Sequence, residues 1–226
     1  MQETSQLYRD LLRTHGHIKE TKVLVDGIEP AKIVSCRTSG GLYNDDADIG
    51  CCVCRTITMK FIPGGEVPRK AKIEPFVRLR YADQASEWLP KGVFYINTRK
   101  ADKVTGIITI TGYDAMYRAE VVWEPDQSLE FPLSMPDAAA EFARIMDVEV
   151  DPRTSLNAAY TIDYPANDYT VREELGFIAT AHAGNWIITD AGMLLLVPLL
   201  SAPEETNLLV TECGDAITFG GVRILV

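Results

Sequence analysis

The chain has 226 residues, of which 46% are hydrophobic and 24% charged, and its formal net charge at pH 7 is −10. This composition is ordinary for a soluble globular protein, and the length suffices for one large domain or two modest ones. No apolar run is long enough to span a membrane, and the N-terminus lacks the apolar stretch of a secretory signal, so the sequence predicts a cytosolic protein with reduced cysteines.

The charge is distributed unevenly along the chain. Residues 1–125 contain 18 basic and 16 acidic residues, a net charge of +2, whereas residues 126–226 contain 4 basic and 16 acidic residues, a net charge of −12. This step predicts two units with a border near residues 123–129. The ordinary interpretation of the acidity is that it keeps a surface soluble. Such an acidic half also argues against nucleic-acid binding through phosphate neutralisation, so no specific nucleic-acid binding is predicted.

The first unit, residues 1–125, is predicted to be mostly β. It begins with a helix over residues 4–12, which Thr4 or Ser5 can cap and which carries one apolar stripe. Short runs rich in β-branched and aromatic residues then predict about six strands. These strands span residues 21–25, 32–37, 49–62, 73–81, 93–98 and 107–112. The Asp26-Gly27 turn is expected to join the first two as a hairpin, and the short strand spacing predicts a small barrel or sandwich.

The segment 92–120 is the most informative part of the chain. Its two strands alternate at period two, and a charged turn separates them. Gly112 breaks the second strand, and Asp114 is placed to cap a short helix that includes Met116 and Arg118. A hairpin that leads directly into a helix is a joint between a β module and the unit that follows.

The second unit, residues 126–200, mixes helices and strands and is predicted to be an α/β domain. One helix starts at residues 134–137, where a proline lies in the first turn and an acid lies near the positive end of the dipole. Thr170 and Glu173 have the capping-box spacing for a second helix, with Gly184 as its predicted end. The buried face of that helix is predicted to consist of Leu175, Ile178, Ala179 and His182, the last as a structural, hydrogen-bonded histidine.

Two hairpin-like segments complete the chain. Residues 186–188 and 193–198 are predicted to pair, and strands at 207–211 and 221–226 indicate the opening of another β unit that we expect to be truncated. The predicted fold class is therefore α+β and rich in β structure. It comprises a small antiparallel β-barrel or sandwich at 1–125, an α/β domain at 126–200 and the start of a second β unit at 201–226.

A cluster of thiols is a candidate metal site. Cys51, Cys52 and Cys54 include a Cys-x-x-Cys spacing, but zinc would need a second pair of ligands. The remaining candidates are His15, His17, Cys36 and Cys213. Because the residues after Cys54 alternate like a strand, a redox motif at a helix N-terminus is disfavoured, and packing as small hydrophobic residues is the simpler interpretation.

Other patterns that suggest chemistry are incomplete. Asn44, Asp46 and Asp48 alternate like calcium-loop ligands, but Ile49 stands where glycine is required and Arg55 where the bidentate glutamate should be. No nucleophile elbow, phosphate loop, dinucleotide fingerprint or catalytic carboxylate pair is recognisable. We therefore predict no catalytic, cofactor-binding or metal-binding residues, and a protein that is not an enzyme.

Three stretches carry a family resemblance. They are YRDLLRTHGHIKETKVLVDG near the N-terminus, GVFYINTRKADKVTGIITITGYDAM in the first unit, and YTVREELGFIATAHAGNWIITDAGMLLLVPL in the second. In their order and spacing, they resemble the hub proteins of contractile and siphophage-like tails, also called tail-associated proteins, and their prophage relatives. The cysteine run is not part of that family pattern.

The resemblance implies both a fold and a function. The hub region of this family implies two barrel-like domains that flank α/β insertions, and a homotrimer whose barrels form a pseudo-sixfold ring against the hexameric tail tube. The chain is thus expected to be a structural component of a phage or prophage tail tip or baseplate hub. It would be made in the bacterial cytoplasm and located in the virion tail, with tail-tube and distal tail proteins as partners.

Two alternatives stay open. One is a thiol-based zinc module that uses Cys51 and Cys54, and the other is a fragment of a tail-associated cell-wall hydrolase, which would need an acid/base pair in a cleft. Within the hub interpretation, a ring of identical subunits closes through heterologous contacts, for which the charge asymmetry is suited. The acidic half is equally suited to the wall of a channel along which DNA slides.

Overall fold

A computed structural model describes residues 4–43, 48–126, 128–164 and 168–199, together with the backbone of Thr218–Phe219 and Val222–Arg223. The helices of this part of the chain are α1 (Gln6–Arg13), α2 (Met135–Ile145), α3 (Val171–Ala181) and a short 3₁₀ helix (Ala115–Ala119). The strands are β1 (Ile18–Val25), β2 (Lys32–Ser39), β3 (Cys52–Val53), β4 (Thr56–Ile62), β5 (Lys72–Tyr81), β6 (Gln84–Ala85), β7 (Leu89–Pro90), β8 (Phe94–Ala101), β9 (Ile108–Tyr113), β10 (Leu133–Ser134), β11 (Thr161–Ile162), β12 (Gly184–Ile188), β13 (Leu194–Pro198), β14 (Thr218–Phe219) and β15 (Val222–Arg223). None of the described helices has the length and apolar character needed to cross a bilayer.

The first part of the chain forms an eight-stranded antiparallel sheet, the front sheet. Its strands lie side by side in the order β1, β5, β8, β9, β4 and β2, and the short strands β6 and β7 also pair with β5. Along β4, β5 and β9, buried side chains alternate with more exposed ones, as the two-residue period of a strand requires. The fully buried centre of this front core consists of Val23, Ile57, Met59, Phe61, Ile73, Phe94 and Ile110.

The predicted hairpin between the first two strands is wrong, and the front sheet is not a closed barrel. Asp26 and Gly27 do form a tight turn with positive φ angles, and Val25 and Ile28 exchange two backbone hydrogen bonds across it. Beyond that turn β1 pairs with β5 over all eight residues, whereas β2 pairs with β4 at the opposite end of the sheet. The turn is held to β5, because the Asp26 carboxylate accepts the Lys72 backbone N–H at 2.7 Å. The β-rich α+β class is confirmed.

The long strand predicted over residues 49–62 is divided between two sheets. Its first part, β3, pairs in parallel with β12, so that Cys52 lies opposite Trp186. Its second part, β4, lies inside the front sheet, and Cys54 and Arg55 form the link between the two. No glycine or proline marks the break, which is why the sequence suggests one strand. The break makes this segment a covalent connection between the front sheet and the rest of the protein.

Helices α2 and α3 pack with a three-stranded sheet, β13-β12-β3, around a second core. Trp186 is fully buried there and donates its indole N–H to the Leu175 carbonyl of α3 at 2.8 Å. The Trp123 ring meets the ring of Phe142 edge-on, with a centroid distance of 4.9 Å. Aromatic groups in such contacts contribute much of the burial energy of a core.

The helix starts were predicted well from local sequence. Ser5 caps α1, Asp114 caps the 3₁₀ helix and Ser134 caps α2. Thr170 and Glu173 form the predicted capping box at α3. The predicted stop at Gly184 is wrong, since Ala183 adopts the left-handed conformation and Gly184 begins β12.

Position 184 requires a glycine because the paired strand packs closely against it. A Cβ at Gly184 would lie 2.8 Å from the carbonyl oxygen of Val197 on the paired strand, so the position accepts no side chain. The hairpin predicted over residues 186–188 and 193–198 is confirmed, with β12 pairing antiparallel to β13. Thus the pairing of the hairpin was predictable, whereas the role of its first glycine depends on the partner strand.

The predicted division into domains at residues 1–125, 126–200 and 201–226 stays a prediction. The described residues contain two clusters of buried side chains, and Cys52 of the first half belongs to the second cluster. In the last segment β14 and β15 pair as a short hairpin. The strand predicted over residues 207–211 lies outside the described residues.

Candidate functional site

The thiols of Cys52 and Cys54 are packed as neutral groups. Burial raises the pKa of Cys52 to about 12, and burial together with the neighbouring Asp114 carboxylate raises the pKa of Cys54 to about 12. Cys52 Sγ donates to the Arg172 carbonyl at 3.4 Å. Because zinc binds thiolates, these environments oppose metal binding. In the described ranges, no group of three or more His, Cys, Asp or Glu side chains is arranged to hold a metal ion.

The other candidate ligands are dispersed. His17 Nδ1 lies 2.9 Å from the Thr14 carbonyl at the end of α1, and His15 is exposed. Cys36 lies on β2 against the front core, where burial raises its pKa. Cys213, Asn44 and Asp46 lie outside the described residues.

His182 connects α3 to the loop that follows α2. Its Nδ1 lies 2.8 Å from the Ile178 carbonyl, and its Nε2 accepts the Asn157 backbone N–H at 2.9 Å. Since Nε2 accepts this bond, Nδ1 is the ring nitrogen that donates to the Ile178 carbonyl. Both nitrogens are thus occupied by backbone groups, which makes this histidine a structural one, as predicted.

The link between β3 and β4 is the centre of a polar junction between the two cores. Asp114 is buried at the end of β9, and it accepts the backbone N–H of Arg55 at 3.0 Å and that of Met116 at 3.1 Å. Burial raises the pKa of Asp114 to about 6, although these hydrogen bonds favour its charged form. The carboxylate therefore fixes the link, the end of β9 and the start of the 3₁₀ helix relative to one another.

The side chain of Arg55 extends the junction to the β12-β13 turn. Its guanidinium lies 2.7 Å from Asp190 Oδ1, donates to the Lys91 carbonyl at 2.9 Å, and lies over the Phe94 ring. Two glycines make room for it. A Cβ at Gly40 would lie 2.8 Å from Arg55 Cγ, and one at Gly92 would lie 2.6 Å from the Phe94 ring, and both glycines have positive φ.

Asn185 closes the base of the loop before β3. Its side-chain amide donates to the carbonyls of Leu42 and Asp48, at 3.0 and 2.9 Å, and its oxygen accepts the Cys51 N–H at 2.8 Å. The side chain is fully buried on β12. A buried amide with three partners fixes Leu42, Asp48 and Cys51 to the three-stranded sheet β13-β12-β3.

A groove of about 520 Å³ lies beside the junction. Ile187, Leu195 and Val197 are among its apolar lining residues, and Arg55 and Arg153 are its lining cations. Each cation already has a carboxylate partner, Asp190 and Asp151 respectively. The described lining contains no histidine, cysteine or unpaired carboxylate, and hence no acid/base pair of the kind that a hydrolase would use. That the chain is not an enzyme stays a prediction.

The outer face of strands β8, β9, β4 and β2 has a composition of its own. The strand register places three rows of side chains across these four strands. From β8 to β2 the rows are Tyr95, Tyr113, Thr56 and Ser39; then Thr98, Thr111, Thr58 and Arg37; then Lys100, Thr109, Lys60 and Ser35. We call this set the hydroxyl face. It combines hydroxyl groups and three cations without a carboxylate, and at the Tyr95 end it packs against the second core.

Sequence reasoning missed Arg55, Asn185 and the hydroxyl face. Arg55 had been considered only as a mismatch in a calcium loop, and nothing local indicates its contacts. The role of Asn185 could have been predicted, because a single amide inside an apolar strand is buried and needs hydrogen-bond partners. The alternate threonines of β4 and β9 are visible in the sequence, but only the register shows that they share one face.

Comparison with known proteins identifies the fold. No protein-family model matches the sequence, and no curated protein matches it. The 43 kDa tail protein of prophage MuSo2 from Shewanella oneidensis superposes with a TM-score of 0.54 at 12% identity, over 85% of this chain and 59% of that chain. The tail protein from Neisseria meningitidis MC58 superposes with a TM-score of 0.54 at 15% identity, over 84% of this chain and 58% of that chain.

This chain thus spans less than two thirds of the length of either structure. At such low identity the likeness concerns the fold and no individual residue. The chain has the fold of these tail proteins.

Proposed function

We propose that the chain is a structural component of a phage or prophage tail, and more specifically that it belongs to the hub that connects the tail tube to the distal tail apparatus. The observation that carries the proposal is the fold shared with two tail proteins, one of them from a prophage, over 84–85% of this chain. The arrangement of the described residues supports it. Arg55, Asp114 and Asn185 are used to fix the two cores to each other, as a subunit of a mechanical assembly requires.

The proposed assembly is a homotrimer that forms a ring, with the tail tube on one side and distal tail proteins on the other. Ring closure requires two different surfaces on each subunit. The front sheet and the acidic second half differ in this way, because residues 1–125 carry a net charge of +2 and residues 126–226 a net charge of −12. Cys52 and Cys54 take no part in the proposal, since their thiols are neutral and packed.

Loss of the protein during particle assembly tests the proposal. A stop codon early in the reading frame of the inducible prophage should leave tail tubes unassembled or free of their tip in electron micrographs, and expression from a plasmid should restore them. Normal infectious tails without the protein would overturn the proposal. Assay of the purified chain on peptidoglycan, and elemental analysis for zinc, test the two alternatives, and we expect neither activity nor stoichiometric metal.

A further inference from the structure

The cations of the hydroxyl face differ from the arginines of β5. On the outer side of β1 and β5, Glu20 pairs with Arg78 at 2.6 Å and with Arg80 at 3.2 Å, and Trp88 is stacked against Arg78. Within the described ranges, by contrast, Arg37, Lys60 and Lys100 form no ion pair. The two arginines of β5 are thus charge-compensated, whereas the cations of the hydroxyl face are available to a carboxylate.

The two lysines of this face flank a shallow hollow. Lys60, Lys100, Thr109 and Asp102 are among its lining residues, and its volume is about 320 Å³. The Asp102 carboxylate accepts the Thr105 hydroxyl at 2.8 Å and the Val104 N–H at 2.9 Å, and it forms no ion pair with either lysine within the described ranges. Two ammonium groups thus face one carboxylate in the hollow, which leaves a net positive charge for a carboxylate from outside the chain.

The complementary surface lies at the border between the two halves of the same chain and in the second half. The Trp123 N–H is bonded to the Tyr169 carbonyl, and β10 pairs with β11, so the loop after Trp123 and the loop after β11 share one end of the molecule. Five exposed acids are carried by these loops, and we call them the acidic rim: Glu124, Asp126, Glu130, Asp163 and Asp168. None of the five forms an ion pair within the described ranges.

We propose that the hydroxyl face of one copy of this chain binds the acidic rim of a second copy. The contact is heterologous, since the two surfaces are different patches of one subunit, and repeated contacts of this kind close a ring. The inference specifies the subunit contact that the proposed function leaves open, and it rests on that function for the ring arrangement.

Charge favours a second copy over a nucleic acid as the occupant. Three cations neutralise few phosphates, so a nucleic acid gains little from this face. A second copy, in contrast, brings the acidic rim at equal stoichiometry. The threonine and serine hydroxyls can donate hydrogen bonds to the carboxylates of the acidic rim. Such bonds suit a polar interface that retains water.

Salt-dependent self-association of the 226-residue chain tests the proposal. We expect association by sedimentation equilibrium at low salt, roughly 0.05 M, and its loss near roughly 0.5 M, because exposed charge pairs are screened. Lys60→Glu with Lys100→Glu should weaken association by about tenfold or more. Lys19→Glu is the matched control, because it reverses an exposed lysine of β1 at the far end of the same sheet, and it should leave association unchanged. A wild-type chain that stays monomeric at low salt would overturn the proposal.

A charge swap identifies the partner surface. Glu124→Lys with Glu130→Lys should also abolish association, whereas a mixture of the lysine-reversed and rim-reversed variants should restore it, because each variant then meets the opposite charge. Failure of the mixture to associate refutes the pairing of these two surfaces. Binding of labelled duplex DNA that is lost in the lysine-reversed variant, while self-association persists, would assign the face to a polyanion instead.

This experiment separates the contact from the function. The mixture is studied in solution with purified chains, so it can fail even if the protein is found in tail particles. In that case the proposed tail function stands and the hydroxyl face is not its subunit contact.

Discussion

The buried carboxylate of Asp114 predicts an unusual pH dependence of stability. Burial raises its pKa from 3.8 to about 6, so folding favours the protonated acid. The resulting stabilisation is fully present below pH 3.8, where the unfolded chain is also protonated, and it is lost as the pH rises through about 6. A difference of about two pKa units corresponds to about 3 kcal/mol.

The assay compares the free energies of unfolding of wild type and Asp114→Asn in urea between pH 4 and pH 8. The amide cannot ionise, so any lost hydrogen bond adds a constant offset, and only the titration changes the difference. We expect the stability of the wild type relative to the variant to fall by about 2–3 kcal/mol as the pH rises. Asp102→Asn is the control, because hydrogen bonds from Thr105 and Val104 lower the pKa of that exposed acid and give the opposite sign. A difference that is flat, or that grows with pH, would refute the reasoning.

Three further predictions concern the junction and the thiols. Arg55→Ala should destabilise the chain by about 2 kcal/mol, because Asp190 and the Lys91 carbonyl lose their cationic partner; urea unfolding followed by tryptophan fluorescence measures this, and an unchanged midpoint would contradict it. Asn185→Ala should cost about 2 kcal/mol and accelerate amide exchange at residues 48–51, since the buried Cys51 N–H is left unpaired; unaltered exchange there would show that the amide does not hold the loop. Cys52 and Cys54 should react with a thiol reagent at pH 8 only after unfolding, because their pKa values are about 12; rapid labelling of either in the native chain would contradict their buried, neutral state.

Local signals in the sequence predicted local structure. The caps at Ser5, Asp114 and Thr170 depend on side chains within three residues, and each forms as expected. The capped joint after β9 was likewise recognisable, although its full role was not. Asp114 also holds the link between β3 and β4, and that contact joins residues 59 positions apart.

Nonlocal pairing was the part that the sequence could not supply. The Asp26-Gly27 turn suggests a hairpin, yet the long strand β5 takes all eight residues of β1, and β2 is displaced to the other end of the sheet. The break at Cys54 and Arg55 is equally invisible, because no glycine or proline marks it. Register is determined by which partner buries the apolar face, and this depends on strands that are distant in sequence.

The two candidate surfaces show the same difference between local and nonlocal information. The acidity of the second half was evident from composition, whereas the hydroxyl face emerged only when β8, β9, β4 and β2 were aligned. Each of these strands contributes a few ordinary serines, threonines and lysines. Their significance lies in being adjacent on one face without a carboxylate among them.

Localisation of the protein in purified tail particles tests the central claim most directly. An epitope tag at the N-terminus, detected with gold-labelled antibody in electron micrographs of particles from the induced prophage, should place label at the tail end, where the tube meets the distal apparatus. Label that is absent from tails, or that is spread along the tube, would contradict the account.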